Sequence, residues 1–214
     1  MKTEVCCLPV FVSLPKNLFL WAYFFILFIN LMENIEKEEL IQLIAAPYIQ
    51  KATALIGVAR KVGGNQFRHM MATFAILLDY HYTSHVLLKA SLLHDLFEDV
   101  PLSNREEIRL LDKDGDEVVR LVEEVTRASE ESKITYLERI LKYGSPEAKI
   151  LKVADRISNI TDLHLDIMIE EKMADYLEQT MKYIFPMAEQ VNHLMAIELR
   201  DLVERRRMYL TAFK

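Results

Sequence analysis

At 214 residues the chain is long enough for one domain with a real hydrophobic core. With 51% apolar residues and only five Gly and six Pro, it lacks the turns of a β-sandwich and the polarity of a disordered chain, which leaves a mostly helical globular fold. A net charge of -6 argues against a surface that coats nucleic acid, although a local cluster of Lys and Arg could still hold a small anion.

The N-terminus opens with both cysteines, Cys6 and Cys7, so no disulfide or thiolate metal site supports the rest of the chain. This usage fits a reducing cytoplasm. Residues 18–29, LFLWAYFFILFI, form an unbroken apolar run, somewhat short for a comfortable membrane span and followed by no small-residue cleavage site. Three readings of residues 1–31 stand: an over-extended start ahead of Met32, an anchor or signal, or a packed extra helix. Only a genuine anchor at residues 18–31 would bring the protein to a membrane, and Lys2 and Lys16 before the run would then place the remainder outside the cytoplasm.

From residue 36 the apolar residues recur at three- and four-residue spacing, which predicts consecutive helices with short connections. EELIQLIAAPYIQKATALIGVARK is broken or kinked at Pro47, and VGGNQ (62–66) is a turn. FRHMMATFAILLDYHY predicts a largely buried helix, and SHVLLKASLLHDLFEDV a second that runs to Pro101. Ser103 and Glu106 have the capping-box spacing, and Gly115 punctuates the entry to an amphipathic helix, DEVVRLVEEVTRA. Ser145 and Pro146 occupy cap and first-turn positions of SPEAKILKVADRISNITDL. A helical tail from about 171 to 212, interrupted by Pro186, closes an all-α bundle without internal repeat or linker.

One stretch demands a chemical explanation. On a helix, His94, Asp95, Glu98 and Asp99 of SLLHDLFEDV project from one broad side, and three carboxylates so close raise one another's pKa unless a cation sits among them. A solvated acidic helix end would account for the pattern if it stood alone. Two further residues join it: His69, on the buried helix, and Asp155, flanked by Val153, Ala154 and Ile157. Singly these read as a hydrogen-bonded core histidine and a buried salt bridge to Arg156 or Lys152. Together, two imidazoles and two carboxylates on apolar helices make a mixed nitrogen and oxygen ligand set suited to manganese, iron or another divalent ion.

H…HD…D in this order resembles the signature of the HD phosphohydrolase superfamily. HDLFED, GDEVVRLVEEVTR and SPEAKILKVADRISNITDL are similar to the hydrolase domain of the Rel/SpoT alarmone enzymes, and most of all to the small stand-alone alarmone hydrolases. The resemblance covers roughly residues 50–202 and makes residues 32–214 a single HD hydrolase domain behind the apolar extension 1–31. It implies His69, His94, Asp95 and Asp155 as ligands of Mn²⁺, and Glu98 and Asp99 as the carboxylates that orient or deprotonate the attacking water. Asn159 would hydrogen-bond the substrate near the metal. The implied substrate is guanosine tetra- or pentaphosphate, losing its 3′-pyrophosphate to give GDP or GTP. Cations for this polyanion would come from Arg156 and Lys172, with Tyr176 beside them, and from Lys152, Arg60, Lys61 and Arg68. A nucleotide is thus the expected partner, with no nucleic acid.

The chain departs from the family at one place. The basic loop ahead of the first metal histidine is cut down to VGGNQFR, and Met70 rather than Pro follows His69. The expected hydrolytic centre is complete, while the part that would recognise the base is abbreviated. A nucleotidase or phosphatase acting on another phosphorylated nucleotide, and a non-catalytic nucleotide-binding HD domain, are the alternatives.

Overall fold

The structure, a computed structural model, describes residues 31–166 and 170–212; the apolar run 18–29 and both cysteines lie outside the described residues. The chain divides into two compact units, residues 1–42 and Leu43–Lys214. In the first, helix α1 (Leu31–Gln42) carries an exposed Glu33–Lys37 pair one turn apart. Among the described residues no single helix is long and apolar enough to cross a membrane.

The second unit is a helical bundle; its described residues contain no strand, only one isolated antiparallel bridge between Ala59 and Asn65. It begins with α2 (Ala46–Ala52), whose Pro47 lies in the first turn, and a 3₁₀ turn, Thr53–Gly57. The proline therefore starts a helix rather than kinking one, because its missing N–H would have no intrahelical partner there. The central pair is α3 (Gln66–Asp79) against α9 (Pro146–Thr161). As expected, Ser145 caps α9, accepting from the Ala148 N–H at 3.1 Å, and Pro146 follows in the first turn. The helix buries Leu151, Val153, Ala154, Ile157 and Ile160.

Three predicted boundaries move. The second long helix is broken: α4 (His85–Ser91) gives way to a turn at 92–95 and then to the short α5 (Leu96–Asp99). The helix before Gly115 shortens to α6 (Arg105–Arg109), and its cap is Asn104, not Ser103: the Asn104 side chain accepts from the Glu106 N–H at 3.0 Å. Gly115 is the first residue of α7 (Gly115–Val125), and a Cβ there would lie 2.3 Å from the Arg109 carbonyl oxygen, so only glycine fits.

After α8 (Lys133–Tyr143), the tail divides more than Pro186 alone suggests. It runs as α10 (Glu170–Gln179), one wider π turn over Thr180–Ile184, α11 (Phe185–Val191) and α12 (His193–Ala212). The π turn sits directly before Pro186, where the proline ring has no room beside a regular i−4 carbonyl. The second break, at extended Asn192, is stabilised by its own side chain, which accepts from the Leu194 N–H at 3.0 Å. Helices α11 and α12 pack on α9 and complete the core around it.

Candidate active site

The four residues expected to hold a metal come together where α3, α9 and the α4–α5 break meet. His69 projects from α3 and is buried; Asp155 projects from the middle of α9 and is buried too. His94 and Asp95 lie in the turn between α4 and α5, not within one helix as the periodicity predicts. The cause is local. His94 Nδ1 bonds the Ser91 carbonyl at 2.8 Å, taking the acceptor that a continuing helix would offer to the Asp95 N–H. The chain tightens instead through bonds three residues apart, Leu93 N–H to Ala90 O and Leu96 N–H to Leu93 O.

This turn aims the second imidazole at the first. The rings of His69 and His94 stand edge to face with centroids 5.2 Å apart. His69 Nε2 is 3.0 Å from Asp155 Oδ1 and 3.8 Å from Asp95 Oδ2; His94 Nε2 is 3.8 Å and 3.5 Å from the same two atoms. One ligand atom each of His69, His94 and Asp95 lies within 4.8 Å of the others, a span that one cation can bridge.

The donor chemistry fits a divalent ion. The Ser91 carbonyl can only accept, so His94 Nδ1 carries the proton and Nε2 presents its lone pair. That Nε2 is buried and, among the described residues, has no hydrogen-bond partner. His69 Nδ1 pairs with the Ser158 hydroxyl at 2.9 Å, while its Nε2–H donates to Asp155 Oδ1 at 3.0 Å, a contact that a bound cation would replace. Burial alone would lower the His94 pKa, but Asp95 and then Asp155 outweigh it and push it up to about 9. The carboxylates that favour a cationic imidazole would equally favour a divalent cation held at Nε2. Burial would raise the Asp155 carboxyl, yet Lys152, His69 and His94 keep it well below the usual carboxylate range.

The two carboxylates after the turn separate. Glu98 turns away from the imidazoles and accepts from the Arg127 backbone N–H at 2.7 Å, tying α5 to the loop after α7. Asp99 lines a cleft of about 230 Å³ beside the metal set, along with Arg60, Lys61, Gln66, Asn159 and Tyr176. Burial, Asp95 and Glu98 all raise the Asp99 pKa, which moves this carboxylate toward the range useful for accepting a proton. The reading of all four charges on one helix side thus gives way to a division: Asp99 faces the cleft and Glu98 holds a neighbouring loop.

The expected substrate residues fall into three groups. Arg60, Lys61, Asn159 and Tyr176 line the cleft. Asn159 is already engaged, donating to Asp155 Oδ1 at 2.5 Å and accepting from Arg60 Nη2 at 2.7 Å. Lys152 and Arg156 are next to it but committed: Lys152 to Asp155 at 2.6 Å, Arg156 to the Thr180 hydroxyl at 2.8 Å and to the Tyr176 ring face at 4.1 Å. Arg68 and Lys172 are exposed and outside the cleft lining; Lys172 sits one turn before Tyr176 on α10.

Sequence reasoning missed Lys133 and Gln66. Lys133 lies 4.7 Å from the Tyr176 ring centre. The residue is exposed, but partial desolvation of its ammonium against the Tyr176 ring, with Arg156, Lys152 and Arg127 nearby, lowers its pKa to about 8, so a phosphate would find an undercompensated cluster of cations there. No signal in the sequence distinguishes Lys133 from a surface lysine at a helix start. Gln66 donates to Asp95 Oδ2 at 2.6 Å.

A helical bundle with this histidine and carboxylate set defines a class, and residues 45–195 match the HD domain family, to which the chain belongs. It is a metal-dependent phosphohydrolase of that family. The chain is 31% identical over 137 residues to the guanosine-3′,5′-bis(diphosphate) 3′-pyrophosphohydrolase MESH1 of Mus musculus, spanning 60% of this chain and 73% of that protein. Against MESH1 of Homo sapiens it is 39% identical over 88 residues, 38% of this chain and 46% of that protein. The fold is shared with the solved structure of a metazoan SpoT ortholog that hydrolyses ppGpp and plays a role in starvation responses. The TM-score is 0.67 at 24% identity, over 75% of this chain and 94% of that one.

Proposed function

We propose that the chain hydrolyses guanosine 3′,5′-bis(diphosphate) type alarmones, releasing the 3′-pyrophosphate and leaving GDP or GTP, with Mn²⁺ held by His69, His94, Asp95 and Asp155. The observation that carries this reading is the buried, unpartnered Nε2 of His94 facing two carboxylates beside a cation-rich cleft, in a relative of MESH1. When bound, the divalent ion supplies a water of lowered pKa and neutralises charge on the phosphoryl oxygens.

The remaining work falls to the chain's own side chains. Asp99, its pKa raised, takes the proton of the attacking water as the phosphorus to 3′-oxygen bond breaks, and the departing 3′-oxygen takes up a proton from solvent to leave as a hydroxyl. Lys133 and Arg156, both against Tyr176, neutralise the phosphates, while Arg60 and Lys61 face the rest of the nucleotide across the cleft. Asn159 keeps Asp155 oriented and presents the Arg60 guanidinium to the cleft. Glu98 fixes the Arg127 loop beside the cations. A cytoplasmic enzyme acting on a small nucleotide is the setting this chemistry suits, and a part in a starvation response is consistent with it.

Purified protein with Mn²⁺ should release pyrophosphate from guanosine tetraphosphate; no release would overturn the reading. One observation favours a second substrate class. The loop between Ala59 and Asn65 is short, and its Arg60 is already bonded to Asn159, which leaves less loop to enclose a guanine. Another phosphorylated nucleotide would then be preferred, and a nucleotide panel scored for pyrophosphate against orthophosphate separates the two.

A further inference from the structure

The short loop before α3 does more than connect two helices. Ala59 and Asn65 pair across it, the Arg60 N–H donates to the Gly64 carbonyl at 3.1 Å, and the Gln66 N–H donates to the Val58 carbonyl at 2.8 Å. Gly63 and Gly64 turn the chain at φ +89° and +72°, where L side chains are strained. Asn65 then caps α3, accepting from the Arg68 N–H at 3.0 Å. Gln66 therefore leaves a closed, internally bonded turn as the first residue of α3, one turn before His69.

Its side chain reaches the carboxylate with the least other support. Gln66 Nε2 donates to Asp95 Oδ2 at 2.6 Å. Asp95 Oδ2 also faces both imidazole Nε2 atoms, 3.5 Å from that of His94 and 3.8 Å from that of His69. A carboxylate only accepts, so the amide NH₂ faces Asp95 and the amide oxygen is left toward the cleft that Gln66 lines.

We propose that Gln66 is a positioning residue for the metal site: its amide, held by the closed 58–66 turn, fixes the Asp95 carboxylate for coordination. This rests on the assignment of Asp95 as a ligand and makes the abbreviated loop a part of the hydrolytic centre. Without the amide donor, Asp95 is free to rotate out of register with the two imidazoles. Partners of this kind, which hold a metal ligand without touching the metal, typically account for roughly 10- to 100-fold in metal affinity.

The test is Mn²⁺ binding to metal-free protein, titrated without nucleotide, in Gln66→Met and Gln66→Ala. Both remove the donor; the first keeps the length and the second relieves any packing strain. Both should weaken Mn²⁺ binding by roughly 10- to 100-fold, with the melting temperature of the metal-free protein unchanged. Phosphohydrolysis lost at micromolar Mn²⁺ should return at millimolar Mn²⁺, which neither a substrate contact nor a water-handling group would show. Wild-type affinity in both variants overturns the proposal, and so does a loss matched by a fall in melting temperature. Because binding is read without nucleotide, failure of the alarmone reading leaves this measurement standing.

Discussion

The two carboxylates of the metal set are held in opposite ways. Asp155 sits inside α9, its side chain 6% exposed, with Lys152 on one oxygen and Asn159 and His69 on the other. Asp95 sits at a helix break, its side chain 22% exposed, with Gln66 as its one hydrogen-bond donor among the described contacts. The first is fixed by the fold before any metal arrives; the second depends on a neighbouring loop. The same contrast separates the buried metal side from the half-open cleft, where Arg60, Asn159 and Tyr176 meet solvent.

Removing each carboxylate gives the largest effects and tests the contrast directly. Asp95→Ala and Asp155→Ala should both abolish Mn²⁺ binding and turnover. Only Asp155→Ala should also destabilise the fold, by about 3 kcal/mol, because it strands the Lys152 ammonium without its partner. Chemical denaturation of the two metal-free variants measures this; equal stability would mean that Asp155 is no better anchored than Asp95.

Next come the two carboxylates after the turn. Asp99→Asn should retain Mn²⁺ and lose roughly 10²- to 10⁴-fold in kcat, the range for removal of a general base. Glu98→Ala should also retain Mn²⁺, but its loss should appear mainly in KM, since it frees the Arg127 loop. A larger kcat loss in Glu98→Ala than in Asp99→Asn would reverse the division of roles.

The cation cluster around Tyr176, at the side of the cleft, should be the pH-sensitive part on the alkaline side. Lys133, with its pKa lowered to about 8, faces Arg156, Lys152, Arg127, Asp155 and Tyr176. It loses its charge as pH rises through that value, so nucleotide KM should increase above about pH 8. The increase should be absent in Lys133→Met, whose KM is raised at every pH; an unchanged profile would remove Lys133 from the phosphate site.

The smallest effect concerns the metal side. His94 has a folded pKa of about 9 against an ordinary 6.5, so its protonated form stabilises the metal-free fold below pH 6.5. That contribution should fade as pH rises through about 9, lowering the melting temperature of metal-free protein over this window. Mn²⁺ takes the place of the proton, so the melting temperature of metal-loaded protein should fall less over the same range. Parallel curves with and without Mn²⁺ would mean that the ion binds elsewhere.

The helical class and most of the site were legible because they rest on local rules. Apolar spacing marks the helices; Ser145 and Pro146 mark the start of α9; and the chemistry of His69, His94, Asp95 and Asp155 suits a shared cation however they are brought together. The α4–α5 break was not legible, because periodicity continues through Leu92, Leu93 and Leu96 while the His94 ring captures the Ser91 carbonyl. Nor was the Glu98 contact, since an exposed carboxylate gives no sign of which backbone N–H it will meet.

What the sequence determined by itself was a set of two imidazoles and two carboxylates suited to share a cation, and most of the helices around them, since both depend on residue type and short spacing. Tertiary structure decided which charges turn toward the cleft. It brought Lys133 to Tyr176 and Gln66 to Asp95, pairs separated by 43 and 29 positions along the chain. Contacts that distant are set by how α8 lies against α10 and α3 against the α4–α5 turn, and no local pattern encodes them.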